Sequence, residues 1–210
     1  MAGLYKLGHI LRDNFSFLWY CVERVNSCMF FLRYSGRLKK IQNNSFYNKV
    51  LNKKKKEHHI YIKTVSIEDV YTLSCFFESQ PASAFTFFRP HEFDAKSLKR
   101  LVKDSSFLMW IAVKKNINDA DETVGYIFQR SYFWGISYRG YITDYKYRGC
   151  GIGKLMMAAA NLASKELKLK VYGSISPYNK SSINLAEATG GIDIIKILDN
   201  GDYFVSYKID

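Results

Sequence analysis

Proline and cysteine are scarce in this sequence, with three prolines and four cysteines among 210 residues. The shortage of proline, together with only 13 glycines and no low-complexity tract, excludes collagen-like and linker-dominated architectures. The cysteines form no CxxC pair and have no histidine at ligand spacing, so we predict neither a zinc site nor a disulfide framework. We expect reduced thiols and no bound metal at Cys21, Cys28, Cys75 and Cys150.

Long uncharged hydrophobic runs are also absent. The apolar stretch near the N-terminus is interrupted by Glu23, Arg24 and Arg33, so no run reaches the roughly 20 residues that a bilayer-spanning helix needs. The first residues lack the basic-then-apolar order of a secretory signal, which predicts a cytoplasmic protein. The chain does contain 48% hydrophobic and 16% aromatic residues, enough to bury a sizeable core.

Acidic residues are rare in the first quarter of the chain. Residues 1–57 contain twelve lysines and arginines but only three acids, whereas residues 58–210 are close to balanced. The run Lys53–Lys56 is typical of a solvated linker, so we predict a basic N-terminal segment over 1–57 and a separate domain over 58–210. The alternative is attraction to the phosphates of lipids or nucleic acid. Nucleic acid is disfavoured because the aromatic residues of the segment stand at helical spacing.

Residues 4–34 show a helical apolar stripe. Leu4, Leu11, Leu18, Val25 and Leu32 recur at every seventh position, which predicts an amphipathic helix whose aromatic residues need cover. The sequence allows three surfaces against which this helix could pack: the rest of this protein or a sister subunit, the inner face of a membrane, or a partner protein. Further apolar residues that accompany the stripe are Leu7, Phe15, Phe17, Trp19, Tyr20, Val22, Met29, Phe30, Phe31 and Tyr34.

From residue 59 the pattern alternates between strands and helices of ordinary length. A short β-rich run is followed by a helix capped by Ser66 and by a second helix capped by Asp94. Three aromatic and β-branched strands, a glycine-rich loop, a helix, a further strand, a short helix and a final hairpin complete the chain. This order predicts an α/β (α+β) fold. We expect a mixed, mostly antiparallel central sheet of about seven strands with helices on both faces, preceded by the N-terminal amphipathic helical segment.

The glycine-rich loop is the main candidate for a binding site. It reads Arg148-Gly149-Cys150-Gly151-Ile152-Gly153-Lys154 and lies between a strand and a helix. Such a loop leaves backbone N–H groups at the positive end of the helix dipole, an arrangement that suits a pyrophosphate. The spacing matches neither the P-loop nor the Rossmann fingerprint.

The spacing R-x-x-G-x-G after a strand, with an asparagine at the end of the next strand, resembles the GNAT N-acetyltransferase superfamily. The resemblance covers residues from about 59 to 210. It implies acetyl-CoA as co-substrate, with the pyrophosphate held by main-chain N–H groups of the loop from Arg148 to Lys154. It also implies backbone contacts to the pantetheine arm from the strand Tyr141-Ile142-Thr143, and a cofactor contact from Asn179, beside which we place Ser182. We expect that a side chain at Gly151 or Gly153 would crowd the phosphates.

The resemblance further implies direct attack of an amine on the thioester. Many family members carry a tyrosine seven residues after the matched asparagine as the acid for the thiolate, but this chain has Ala186 there. Replacement acids are Tyr178, Ser182 or a water, and base candidates are His91, Glu92 and Asp144. Cys150 is more simply a small filler than a nucleophile. The loop FFRPHEFD, with Phe85 before it, could wall an acceptor pocket.

Two functions therefore remain open. The first is an acetyl-CoA-dependent N-acetyltransferase acting on a small amine, for which we favour an amino sugar of cell-surface polysaccharide. The second is a non-enzymatic acyl-CoA-binding or interaction protein, which the substitution at Ala186 motivates.

Overall fold

The computed structural model describes residues 16–47, 60–116 and 120–209. The boundary predicted near residue 57, the lysine run before it and the first part of the heptad stripe lie outside the described residues. The helices of the described parts are α1 (Ser16–Gln42), α2 (Val70–Glu78), α3 (Ala95–Val102), α4 (Ile152–Leu167) and α5 (Lys180–Glu187). The strands are β1 (Ile60–Thr64), β2 (Phe107–Lys114), β3 (Glu122–Ser131), β4 (Ile136–Thr143), β5 (Lys170–Ile175), β6 (Ile192–Ile197) and β7 (Tyr203–Tyr207).

The strands form one seven-stranded sheet in the order β1-β2-β3-β4-β5-β7-β6. All neighbours are antiparallel except β4 and β5, which run parallel. The central strands β2 and β3 are buried along almost their whole length because helices cover both faces of the sheet, which explains their continuous apolar sequences. The predicted mixed sheet of about seven strands is confirmed.

Two hydrophobic cores lie on opposite faces of this sheet. Helices α1 and α4 pack on one face around Trp110, which is fully buried. Helices α2 and α3 pack on the other face around Leu73 and Leu98. Neighbouring residues of β2 alternate between the two cores, as Trp110 and Ile111 do, because side chains of a strand point to opposite faces.

The parallel contact between β4 and β5 is short. It comprises three residue pairs, from Ile136 with Lys170 to Tyr138 with Tyr172. Beyond Tyr138 no described strand pairs with this side of β4, although β4 continues to Thr143 and β5 to Ile175. The two strands therefore enclose an open gap at their C-terminal ends.

Capping contacts lie at three helix starts, two of which, at Ser66 and Asp94, were predicted from the sequence. Ser66 and Asp69 form a capping box at a short 3₁₀ turn before α2. The Asp94 carboxylate accepts the Ser97 N–H at the start of α3. The Asn179 amide oxygen accepts the Ser182 N–H at the start of α5. Each side chain satisfies a backbone donor that a helix start leaves without a partner.

The packing face of α1 differs from the stripe that the heptad predicted. Leu18, Val25 and Leu32 are 49%, 61% and 66% exposed, whereas the opposite face packs into the core beside α4. The reason is that the first half of α1 is apolar on nearly every side, so its periodicity did not identify the covered face. The side chains of α1 that are buried in the core are Phe30, Tyr34, Leu38 and Ile41.

Polar contacts also join α1 to the sheet. The Asn26 side chain donates to the Ser131 carbonyl and accepts the Phe133 N–H, in the hairpin between β3 and β4. At the other end, Trp110 Nε1 donates to the Tyr47 hydroxyl, which in turn donates to the Ile41 carbonyl. None of the described helices is long and apolar enough to cross a membrane.

Candidate functional site

The gap beside β4 exposes main-chain hydrogen-bonding groups. The Asp144 N–H donates to the Val124 carbonyl, and at the other end of the strand pair the Tyr132 N–H donates to the Ile136 carbonyl. Successive residues of a strand direct their main-chain N–H and C=O groups to alternate sides. The even-numbered residues of β4 therefore bond to β3. Tyr141 and Thr143 therefore direct their N–H and C=O groups into the gap, as expected for a pantetheine site. Ile142, predicted as a third such residue, faces β3 instead.

The glycine-rich loop lies at the wide end of this gap. Gly149 and Gly151 have φ angles of +81° and +76°, and a Cβ on either would meet open space. Gly151 is the N-cap of α4, and the first helical bond runs from the Leu155 N–H to its carbonyl. The N–H groups of residues 152–154 consequently have no helical acceptor. They form an uncapped, positively polarised end without any acidic residue in the first turn.

Gly153 also has a packing role that the sequence did not indicate. A Cβ on Gly153 would lie 2.7 Å from Leu185 Cδ2, so this glycine permits the first turn of α4 to pack closely on α5. Cys150 is exposed, and its thiol approaches only the Arg148 carbonyl, at 3.9 Å. No base contacts the thiol among the described residues, in agreement with a filler rather than a nucleophile.

We predict that the residue at position 185 decides whether Gly153→Ala raises or lowers the free energy of unfolding. With Leu185 present, the new methyl group overpacks the contact, so we expect a loss of about 1 kcal/mol of unfolding free energy. In a Leu185→Ala background the space is open, and the higher helix propensity of alanine should stabilise α4 by up to about 0.8 kcal/mol. Urea unfolding of the four variants measures this coupling. Additive effects would contradict the packing role.

A buried Gln80 at the end of α2 holds the loop in place. Its Nε2 donates to Asp144 Oδ2 at 2.8 Å, and its Oε1 accepts the Tyr145 N–H at 3.1 Å. Asp144 Oδ1 also accepts the Lys146 N–H. Asp144, a base candidate from the sequence, thus uses both carboxylate oxygens to order the chain between β4 and α4. The sequence contained no signal for Gln80, since its partners are 64 and 65 residues away.

On the other side of the gap, Asn179 and Ser182 begin α5. The Asn179 amide oxygen accepts the Ser182 N–H, so this oxygen is occupied by its own helix. The Tyr141 hydroxyl donates to Ser182 Oγ at 2.9 Å and links β4 to the helix that follows β5. Burial raises the pKa of Tyr141 to about 12, although the bond to Ser182 lowers it in part. Ala186 is buried one turn after Ser182.

Arg139 places a positive charge at the closed end of the gap. It precedes Tyr141 by two residues, so the two side chains lie on the same face of β4. Its guanidinium donates to four neutral side chains and lies 5.2 Å from the centre of the Tyr207 ring. No carboxylate pairs with it among the described residues, and its buried Nε has no hydrogen-bond partner. Burial lowers its pKa to about 10, which leaves it charged at neutral pH. The four acceptors are Gln129, Met157, Asn161 and Ser164.

The predicted catalytic residues lie apart from one another. His91 is enclosed by aromatic rings on the α2–α3 face of the sheet, with its Nδ1 bonded to the Glu92 carbonyl and its Nε2 to the Tyr126 hydroxyl. Burial lowers the pKa of His91, so the ring is neutral and both nitrogens are occupied. Glu92 is exposed, and Tyr178 is 82% exposed. Of the predicted aromatic wall, Phe93 packs against His91, Phe85 and Phe88 pack against Phe93, and Phe87 is 52% exposed. The other rings around His91 come from outside the loop and are Phe77, Phe107, Tyr126 and Phe128.

No protein-family model matches the sequence, and neither does any curated protein. Solved structures do match by fold. The GNAT domain of S. lividans PAT has a TM-score of 0.59 at 13% identity, over 71% of this chain and 90% of that one. The PaiA N-acetyltransferase from Thermoplasma acidophilum, solved with coenzyme A, has a TM-score of 0.56 at 17% identity, over 71% and 98%.

A third structure, AAC(6')-Ib in complex with paromomycin and acetyl-CoA, has a TM-score of 0.52 at 14% identity, over 71% of this chain and 93% of that one. All three identities are too low to transfer an activity or a substrate. From residue 60 onward, the chain has the fold of the GNAT N-acetyltransferase superfamily.

Proposed function

We propose that this protein is an acetyl-CoA-dependent N-acetyltransferase that acts on a small amine by direct attack. The observation that carries the proposal is the open gap between β4 and β5, with an uncapped glycine-rich helix end at its mouth. Neighbours with the same fold were solved with coenzyme A or acetyl-CoA, which supports this choice of co-substrate.

The residues of the gap fit such a ligand in two parts. The N–H groups of Ile152, Gly153 and Lys154 would hold the pyrophosphate, because they are without helical acceptors at the positive end of α4. The main-chain groups of Tyr141 and Thr143 would hold the extended arm, as a strand does for its neighbour. Neither contact depends on side-chain identity. The sequence of β4 therefore says little about whether this strand binds a cofactor.

The chemistry supplied by the co-substrate is an acyl thioester with a good leaving group. An amine with an ordinary pKa near 10.4 is mostly charged at neutral pH and must lose a proton before attack. His91 and Asp144 are occupied by hydrogen bonds, so we assign proton acceptance to water. The charge on Arg139 favours negative charge that develops in the gap, since no described carboxylate offsets it.

Tyr141 takes the place of the tyrosine that the family pattern would put at position 186. Its hydroxyl reaches Ser182, one turn before Ala186 on α5. With a pKa of about 12 it stays protonated at neutral pH. Its proton would donate to the departing thiolate after turning away from Ser182 Oγ, an acceptor that has no charge and competes only weakly with a thiolate. Complete proton transfer to a thiolate of pKa near 8.5 is uphill, so its role is stabilisation by hydrogen bonding.

We predict that Tyr141→Phe lowers kcat about tenfold and leaves the Kd for coenzyme A within about twofold, because the main-chain contacts persist. The loss should be equal from pH 7 to about pH 10, since the hydroxyl remains protonated throughout that range. Steady-state kinetics and calorimetry measure the two quantities. Tyr178→Phe is the comparison, because Tyr178 is exposed. A larger loss in Tyr178→Phe would return the role to the residue predicted from the sequence.

The test of the proposed function is a calorimetric titration of the full chain with acetyl-CoA and, separately, with desulfo-CoA. Micromolar binding of both would support the site, and release of free CoA in the presence of amines would then support turnover. We propose an amino sugar of cell-surface polysaccharide as the first acceptor to screen. The paromomycin complex of a neighbour is one precedent for a small acceptor. Failure of the folded protein to bind either ligand would contradict the proposal.

Ala186 supports one second candidate, a non-enzymatic acyl-CoA-binding protein. The position is buried and has no acidic group. Tight binding of acetyl-CoA without release of CoA on any amine would favour this function. Turnover that falls in Tyr141→Phe would exclude it.

A further inference from the structure

The outward face of α1 is an exposed apolar surface. Phe17, the most exposed of its large apolar residues, has 74% of its surface accessible. Residues on one side of a helix repeat every three to four positions, and here they line the side opposite the core. Exposed apolar side chains that lie together on one face of a helix mark an interaction site. We call it the α1 face, and its exposed apolar side chains are Phe17, Leu18, Val22, Val25, Met29, Phe31 and Leu32.

An exposed tryptophan lies beside the α1 face. Trp134, 52% exposed, belongs to the hairpin between β3 and β4. This hairpin is fixed to α1, because Arg33 Nη1 donates to the Phe133 carbonyl and Asn26 accepts the Phe133 N–H. Tryptophan is enriched where an apolar interior meets water and headgroups.

Basic residues outnumber acidic ones on α1. Its only acid is Glu23, which forms an ion pair with Arg130 at 2.7 Å. Towards its C-terminal end, a groove of about 760 Å³ between α1 and α4 contains a single acid, Glu166. The basic residues that line this groove are Arg37, Lys39, Lys40, Lys165 and Lys168.

We propose that the α1 face and Trp134 bind the surface of an anionic lipid bilayer. Apolar and aromatic residues flanked by cations, without an unpaired acid, are the composition of helices that lie in a membrane interface. A second copy of this chain fits less well, since pairing two such faces would bring cations together with no acid to balance them. The α1 face also includes Phe17 and Phe31, which makes it wider than the apolar stripe through which two helices of a coiled coil pair.

The proposed membrane surface and the candidate cofactor site lie at opposite ends of β4. The hairpin attached to α1 precedes Ile136, and the glycine-rich loop follows Thr143. Eight residues of strand span about 26 Å. A bilayer on the α1 face would therefore leave the glycine-rich loop open to solvent. The inference does not rest on the proposed function, and each can fail alone.

Flotation of the full chain with lipid vesicles tests the proposal. We expect binding to vesicles of phosphatidylglycerol and phosphatidylcholine, weaker binding at high salt, and little binding to phosphatidylcholine alone. The double variant Val25→Asp/Leu32→Asp should bind at least tenfold more weakly with an unchanged melting temperature, because both positions are exposed. Ile194→Asp, at a 55% exposed position of β6, is the matched control.

Three results would overturn the proposal. The first is no flotation with anionic vesicles, and the second is equal loss of binding in the Ile194→Asp control. The third is a dimer in sedimentation that the double variant dissociates, without lipid binding in either form. That last result would assign the α1 face to a second copy of the chain.

Discussion

Gly151→Glu is expected to abolish detectable binding of coenzyme A. Gly151 adopts a φ of +76°, and a Cβ there would point into open space at the mouth of the gap. A carboxylate at this position would occupy the place of the pyrophosphate and repel it at the positive end of α4. We expect the Kd to rise at least 100-fold, which corresponds to about 2.7 kcal/mol. Isothermal titration calorimetry measures the change.

Gly201→Glu is the matched control for this experiment. Gly201 lies in the hairpin between β6 and β7, has a φ of +84° and also has open space around its Cβ. Both variants should therefore lose about 1–2 kcal/mol of stability from the left-handed backbone. Only Gly151→Glu should lose affinity. Equal affinity in the two variants would place the cofactor elsewhere and contradict the proposed site.

Trp110→Ala is expected to have the largest effect on stability. The side chain is fully buried between α1, α4 and the sheet, so its removal leaves a large cavity. It also removes the donor to the Tyr47 hydroxyl. We expect a loss of about 4 kcal/mol, which would lower the melting temperature by about 10 °C in a domain of this size. Differential scanning calorimetry provides the measurement.

The exposed Trp134 is the control for the buried tryptophan. Trp134→Ala should change the melting temperature by less than about 2 °C, because half of its surface is already in water. If Trp110→Ala proved as mild as Trp134→Ala, α1 would not be a structural part of the domain. The basic segment would then be an independent appendage, as the charge distribution alone suggested.

Local signals in the sequence were sufficient for most elements of the fold. The apolar runs of β2 and β3, and the caps at Ser66 and Asp94, can each be recognised from a few consecutive residues. The covered face of α1 was not accessible in this way. Both of its faces are apolar, and only the docking of Phe30 and Tyr34 against the sheet distinguishes them.

The candidate site was predicted in part for the same reason. Its glycine-rich loop is a contiguous motif whose spacing can be recognised in the sequence alone. Gln80, Arg139 and the contact between Tyr141 and Ser182 join residues 10 to 65 positions apart. Such contacts depend on the register of β4 and on the placement of α5, which no local pattern encodes.

The three-pair contact between β4 and β5 is the shortest strand contact in the described sheet, so we expect the sheet to open there as two cooperative units. The C-terminal unit of β5, β7 and β6 has a small core of its own, formed by Ile175, Ala186 and Val205. Such a unit can open at a lower free energy than the whole domain. A ligand that bridges the gap binds only the closed form and stabilises it by about 2.7 kcal/mol at 100 times its Kd. The cellular concentration of that ligand would then set how often the C-terminal fifth of the chain is exposed to proteases.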